Sequence, residues 1–314
     1  MNPASGLAQA PATQGVLALR LRAATREALE AYAFLTPAML ILLVFIVVPA
    51  FYVLWISLLR WDLIAPSGNF IGFGNYSRLL QDRLWWQSLG QTLYFVLGSV
   101  PTGMALALGL ALLLNSRLPG RGILRGAIFA PFVTPAVATI VIWEWILNTD
   151  YGLVNAILAA FHGPKIGWLI DANWIMPAVI LYTLWATTGF NMVIFLAGLA
   201  NIPADLQDAA RADGAGEWQV FWNVTWPLLT PTTYFVLLIS SISSFKVFNV
   251  VFVLTDGTGG PNRAAQTVGL YLYQQAFTFF HAGYASAISV TLFVIILALT
   301  LAQVRIGSRK VFYR

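Results

Sequence analysis

The stretch AYAFLTPAMLILLVFIVVPAFYVLWISLL, Ala31 to Leu59, lies between Glu30 and Arg60 and carries no charged side chain. Coiled at 1.5 Å per residue it spans about 43 Å, more than the roughly 30 Å hydrocarbon core of a bilayer. A run of this kind must satisfy its backbone groups internally, which leaves a helix or a closed barrel. The absence of strict period-2 alternation selects the helix.

Five further windows repeat the pattern. The second lies between Arg83 and Arg117, with LGQTLYFVLGSVPTGMALALGLALLL (Leu89 to Leu114) as its membrane part. The third begins after Arg125 and ends around Glu144 to Leu147, and the fourth falls between Asp171 and Asp205. The fifth runs from about Leu228 to Leu254 with Lys246 inside it, and the sixth covers Gly283 to Val304. The expected fold class is an all-α polytopic membrane protein with six transmembrane helices. Composition agrees: 59% of the 314 residues are hydrophobic and 9% charged, where soluble domains carry about 25% charged residues. Mean hydropathy is +0.77.

The same composition closes off several chemistries. There is no cysteine, so disulfides, cysteine-ligated zinc, iron–sulfur clusters and cysteine nucleophiles are all excluded. Two histidines, His162 and His281, fall in separate loops and do not make a metal site. No GxxxxGK[ST] loop is present, and the acids lie in loops apart from Glu144, so neither an ATPase nor a carboxylate-pair hydrolase is expected. The net charge of +5 would suit nucleic acid only if the cations clustered, and no basic run exceeds Arg309-Lys310.

Those cations are better read as topology. With the N-terminus cytoplasmic, the inside segments hold Arg20, Arg22, Arg26, Arg117, Arg121, Arg125, Arg211, Arg305, Arg309, Lys310 and Arg314, eleven in all. The outside segments hold five, Arg60, Arg78, Arg83, Lys165 and Arg263. This bias predicts both termini inside a bacterial-type inner membrane. Trp55, Trp61, Trp85, Trp86, Trp143, Trp145, Trp168 and Trp174 gather near the predicted outer ends as an aromatic belt. Residues 1–31 read as a polar tail and an interfacial helix whose apolar face is Leu17, Leu21, Ala24 and Ala28. Residues 32–306 form the membrane domain, and 307–314 a cytoplasmic tail.

One stretch breaks the hydrophobic pattern: NIPADLQDAARADGAGEWQVFWNVTWP, Asn201 to Pro227. Pro203 with Asp205 reads as a helix start, and Ala209, Ala210 and Ala212 continue it. Gly214 and Gly216 permit a tight turn before a second short helix, Glu217 to Val224, ended by Pro227. The result is a compact cytoplasmic knob, longer than a simple return loop needs.

Within this insert Asp208-Ala209-Ala210, three residues, Gly214, nine residues and Val224-Thr225-Trp226-Pro227 resemble the Glu-Ala-Ala loop of membrane subunits of binding-protein-dependent ABC importers. Asp208, Val224 and Trp226 depart from that pattern in residue type, and the spacing is intact. Further segments narrow the resemblance to sugar-importer permeases of the maltose and glycerol-phosphate type: FIGFGNYSRLL (Phe70 to Leu80), ALLLNSRLPGRGILRGAIFAPFVTPAVA (Ala111 to Ala138), YGLVNAIL (Tyr151 to Leu158), AGLANIPADLQDAARADGA (Ala197 to Ala215) and FKVFNVVFVLTDGTGGPNRAAQTVGLYLYQQAF (Phe245 to Phe277).

The resemblance implies a permease paired with a second, related permease, two cytoplasmic ATPase subunits that use ATP and Mg, and an external binding protein delivering a sugar. On it, Asp208, Ala209, Ala210, Gly214 and Pro227 would couple to the ATPase, and Gly259, Gly260 and Pro261 would lie near the docking site of the binding protein. The chain itself would bind no cofactor.

Polar residues inside spans mark the candidate pathway. A lipid-facing lysine costs roughly 2.5–3.5 kcal/mol, so Lys246 is expected to face protein or the pathway, on a polar stripe with Ser243 and Asn249. A hydrogen bond to a neighbouring carbonyl or to the partner subunit is the alternative. In the fourth span Thr183, Thr187, Thr188 and Asn191 suit a hydroxyl-rich substrate, and Trp185 suits stacking on a sugar ring; serine and threonine equally serve as interhelical glue. A glycerol-phosphate substrate, or an ATP-independent channel or secondary transporter, are the competing readings.

Overall fold

The computed structural model describes residues 27, 29–64, 68–116 and 119–307. The apolar face expected on Leu17, Leu21, Ala24 and Ala28, and the tail from residue 308, lie outside the described residues. Two compact units are distinguished, Met1–Trp55 and Ile56–Arg314.

The described part of the first unit belongs to one apolar helix, α1, Leu29–Ser57. It widens into a π turn at Leu43–Val47, where the Val48 amide reaches back to Leu43. Pro49, two residues on, has no N–H and would press its ring on the Phe45 carbonyl; the widened turn accommodates both defects.

In the second unit a two-residue antiparallel ladder, β1 (Leu59–Arg60) with β2 (Asn69–Phe70), sets Leu59 opposite Phe70. Asn75, in the first turn of α2 (Gly74–Gln81), pins the ladder by donating from Nδ2 to the carbonyls of Ser57 and Leu59 at 2.8 and 2.9 Å. Then come α3 (Arg83–Asn115), α4 (Arg121–Val133), α5 (Ala136–Ile146), α6 (Leu153–Ala160) and α7 (Ile175–Ala200). The knob helix α8 (Ala204–Ala212) follows, with α9 (Glu217–Phe245), α10 (Asn249–Leu254), α11 (Val268–Tyr273) and α12 (Ala282–Gly307). The all-α membrane architecture expected from the charge-free windows is present: α1, α3, α7, α9 and α12 are each long and apolar enough to span.

Three expectations are corrected. The third span is not one helix but the pair α4 and α5, bent by 100°. Pro135 disfavours helical backbone at Thr134, which is extended at φ −74°, ψ 142°, so α4 stops there and α5 restarts in a new direction. The fifth span ends at Phe245, with Lys246 as its cap, and Asn249–Leu254 is a separate helix. Finally, the second knob helix does not end at Pro227: it runs on into the span as α9, through a π turn at Phe221–Thr225. Trp226 donates to the Phe221 carbonyl there, so the turn ahead of Pro227, which has no N–H to give, opens instead of breaking.

Helices in lipid gain little from apolar burial against each other, so their association rests on close fit and small residues. The second unit follows this rule. Gly103, Ala107 and Ala111 form a small-residue stripe on α3, which packs along α7. At Gly189 of α7 a β-carbon would stand 2.1 Å from the Ile128 carbonyl of α4. Two buried clusters result. One gathers Phe95 and Val100 of α3 with Ile175 to Tyr182 of α7 and residues of α10, α11 and α12. The other joins Ala107, Ala111 and Leu114 to Met192, Phe195 and Leu199, closed by Leu229 and Val236 of α9. Trp85, expected in the aromatic belt, is instead 2% exposed and belongs to the first cluster, whereas Trp55, Trp86, Trp145 and Trp174 are exposed.

Candidate functional site

Beside the first cluster, along both α3 and α7, lies an open cleft of about 590 Å³. Thr183, Thr187 and Asn191 enter it from one face of α7 at a spacing of four. The Thr183 and Thr187 hydroxyls each donate at 2.8 Å to the carbonyl four residues earlier, which leaves their oxygen lone pairs free to accept. Asn191, 6% exposed, holds Ser240 of α9 through Nδ2 at 3.4 Å, and Ser99 of α3 meets Ser244 at 3.5 Å. Ser243, Lys246 and Asn249, all exposed, line the side where α9 gives way to α10. Irregular backbone at such a depth is tolerated where it lines a cavity, which accounts for the break at Lys246 to Phe248.

The bend between α4 and α5 supplies the opposite wall: Pro131, Phe132, Thr134 and Ala136. Tyr182 braces the bend, meeting Thr139 Oγ1 at 2.8 Å and donating to the Ala136 carbonyl at 3.3 Å, while Phe132 stacks on Phe190 at 4.4 Å. Lys246 is the one charged residue of the lining among the described residues. The chemistry on offer is therefore a set of hydroxyl and amide groups with an aromatic wall and a single cation, matched to a polyhydroxylated solute. No group of three or more metal-ligating side chains occurs among the described residues.

Of the residues singled out from sequence, Asn191, Ser243, Lys246 and Asn249 come together in this lining. Trp185 and Thr188 do not: Trp185 packs on Trp143 and Tyr182 at 5.5 and 6.0 Å, and Thr188 is buried in the helix contact. Ser99, Phe132 and Thr134 were missed, although the proline pair around Thr134 is a readable signal of the bend.

The knob is built as its spacing requires. The Ala215 amide reaches the Ala210 carbonyl and the Gly214 amide the Arg211 carbonyl, both at 3.0 Å, a Schellman closure of α8 that needs a left-handed residue. Gly214 supplies it at φ +87°. Arg211 clips the two arms together, bonding Asp208 at 2.9 Å and both Glu217 oxygens at 2.8 and 3.3 Å. Asp208 is thus engaged within the knob, and Ala209 and Ala210 stand beside it on an exposed helix, while Pro227 lies inside α9.

The third feature is a turn at Gly257–Arg263. Gly257, Gly259 and Gly260 take φ of +70°, +84° and +74°, and Pro261 opens a 3₁₀ turn. Gly259 donates to Thr255 Oγ1 at 3.1 Å, and a β-carbon on it would fall 2.3 Å from Gln266 Oε1. At the start of α3, Asp82 caps the helix at the Leu84 amide (2.9 Å) and accepts the hydroxyls of Tyr271 and Tyr284. Burial alone would raise the Asp82 carboxyl, but these two phenols and the Leu84 and Trp85 amides hold it below the usual carboxylate range.

The family model for binding-protein-dependent transport system inner membrane components matches residues 99–311. The chain is 36% identical over 285 residues to the trehalose/maltose transport system permease protein MalF of Thermococcus litoralis, covering 90% of this chain and 95% of the relative. To the sn-glycerol-3-phosphate transport system permease protein UgpA of Agrobacterium fabrum it is 34% identical over 284 residues, covering 90% and 96%. Its fold matches two structures of a bacterial alginate ABC transporter, one in complex with an alginate pentasaccharide-bound periplasmic protein. Their TM-scores are 0.81 and 0.79 at 22% identity, covering 92% of this chain and 99% and 98% of theirs. Apolar helices in this number, a knob closed on Gly214, a polar cleft and matches over most of the chain converge: it belongs to the family of binding-protein-dependent transport system inner membrane components, as a permease subunit of an ABC importer.

Proposed function

We propose that this chain forms, with a second related permease, the translocation pathway for a sugar or oligosaccharide delivered by an external binding protein. Two cytoplasmic ABC ATPases, using ATP and Mg, seat against the knob at Asp208, Ala209, Ala210 and Gly214. Both termini are cytoplasmic. The cleft lined by Asn191, Ser240, Ser243 and Asn249 is the observation that carries the reading, because hydroxyl and amide groups facing a cavity replace water around a sugar's hydroxyls. Trehalose and maltose in the name of one relative support the same substrate class. Closure of the ATPases moves the knob, and the helices rock between inward- and outward-open states around the cleft.

A second reading has its own observation. Lys246 brings a charge to the lining, and a relative at 34% identity is named for glycerol 3-phosphate, so a phosphate-bearing polyol is the alternative solute. Proteoliposomes holding both permeases and the ATPases test these together. Uptake that needs internal or external ATP, binding protein and a sugar supports the proposal; uptake by the permeases alone would overturn it.

A further inference from the structure

The first turns of α3 hold the segment that carries the glycine turn at two places. Gln87 donates from Nε2 to the Asn262 and Arg263 carbonyls, each at 3.3 Å. Thr92, fully buried, donates to the Ser88 carbonyl at 2.8 Å and accepts the Val268 amide at 2.9 Å. Neighbouring Thr267, also fully buried, donates to the Val247 carbonyl at 3.3 Å. Val247 follows Lys246 in the cleft wall, and Gly269 packs so tightly behind it that a β-carbon would stand 2.6 Å from the same carbonyl. Residues 267–269 are thereby clamped between α3 and the cleft.

The turn itself is braced from within. Ala265 donates to the Gly259 carbonyl at 2.9 Å, Gln266 to Gln274 Oε1 at 2.7 Å, and Gln274 to the Gly257 carbonyl at 2.7 Å. Asn262 and Arg263 take φ of +52° and +57°, left-handed conformations that cost energy and persist because the surrounding contacts impose them, among them the Gln87 bonds to both carbonyls. A stiff turn tied to α3 at one end and to the cleft wall at the other moves with both or not at all.

We propose that Gln87 and Thr92 are positioning residues for coupling, which register the Gly257–Arg263 turn against the cleft so that docking of the binding protein on the turn is transmitted to the cleft wall. This rests on the assignment of the chain to a binding-protein-fed sugar importer with the Gly259, Gly260 and Pro261 turn as the docking point. Neither side chain lines the cleft, so their effect is on coupling and not on the solute's own contacts.

The test is ATP hydrolysis by the complete importer in lipid nanodiscs, titrated with sugar-loaded binding protein. Gln87→Ala removes two long, exposed bonds, so basal hydrolysis and melting temperature stay at the native values. The binding-protein concentration for half-maximal stimulation rises roughly fivefold or more. Thr92→Val lowers the stimulated rate relative to the basal rate, and Thr92→Ser, which keeps the hydroxyl, restores it. Unchanged stimulation in Gln87→Ala and Thr92→Val overturns the proposal. So does a fall of basal rate and melting temperature together with no rescue by serine. A native importer that the binding protein does not stimulate at all overturns the functional reading itself, a result visible before any variant is made.

Discussion

Tyr284, in the first turn of the last span, donates its hydroxyl to Oδ2 of Asp82 at 2.5 Å across 202 residues of sequence. The same oxygen accepts the hydroxyl of Tyr271, and the guanidinium of Arg78 lies 4.3 Å from the centre of the Tyr284 ring. One carboxylate therefore joins the start of α3 to α11 and α12, a directional tie added to the apolar cluster the three helices share.

Replacing the carboxylate tests that role. Hydrogen bonds to a charged group contribute about 1.5–3 kcal/mol and neutral ones about 0.5–1.5, so Asp82→Asn, which still caps α3, is expected to lose about 1–2 kcal/mol at pH 7. The folded carboxyl is held below its ordinary value, so its stabilisation is present above the unfolded pKa of about 4 and fades as pH falls through the lower folded value. Melting curves of native and Asp82→Asn importer from pH 7 downward should show a gap that closes below about pH 4. A gap independent of pH would assign the loss to shape and not to charge.

Gly214 gives a second, local prediction. Nothing stands within 4 Å of a β-carbon there, so the only obstacle to a side chain is the left-handed backbone at φ +87°. That conformation costs an ordinary residue about 1–2 kcal/mol, and asparagine less. Gly214→Val should thus loosen the knob, reducing ATPase copurified per permease and ATP-driven uptake and lowering the melting temperature slightly, with Gly214→Asn closer to native in all three. Equal losses in the two variants would mean that the surface at this position matters, not its backbone.

These two sites differ in how far the sequence betrays them. The glycine turn after an alanine-rich helix is written locally in Asp208 to Gly216, as are the charge-free windows that became α1, α3, α7, α9 and α12, because each depends on neighbours within a few turns. The bend at Thr134 was readable from Pro135, yet a long apolar window outweighed it. Other features are set by contacts distant in sequence. Nothing in Phe245 to Asn249 ends a helix by itself, since the stretch has neither glycine nor proline; Thr267, twenty residues on, donates to the Val247 carbonyl, and Gly269 leaves room for that carbonyl beside it. Asp82 read as an ordinary loop acid because its two phenols come from the far end of the chain. Lys246 was expected inside a span and stands at a helix end facing the cleft.

Close packing in a membrane domain makes glycine substitutions informative. At Gly189 a β-carbon meets the α4 backbone, which cannot rotate away, so Gly189→Ala is expected to cost about 1–3 kcal/mol by forcing α4 and α7 apart. At Gly198 the obstacles are the side chains of Thr232 and Leu229, which can adjust, so the loss should be smaller. Gly109 has open space, and alanine there gains up to about 1 kcal/mol of helix propensity. The melting temperatures should rank Gly109→Ala, Gly198→Ala, Gly189→Ala from highest to lowest, and any other order would show that backbone approach does not govern this packing.

The cleft yields the prediction that separates pathway from scaffold. Ser240 stands in the lining opposite Asn191, and a bulky residue there fills the cavity without touching the knob or the glycine turn. Ser240→Trp should abolish sugar uptake in proteoliposomes while binding-protein-stimulated ATP hydrolysis continues, because the energy-coupling surfaces are intact. Loss of both together would place Ser240 in the helix contact and not in the route. Lys246→Gln then distinguishes the two solute classes. A charge-assisted hydrogen bond contributes about 1.5–3 kcal/mol, tenfold or more in affinity, so removing the cation should reduce uptake of a phosphate-bearing polyol by that factor. A neutral sugar, which needs only a donor at this position, should lose far less, since the glutamine amide still donates.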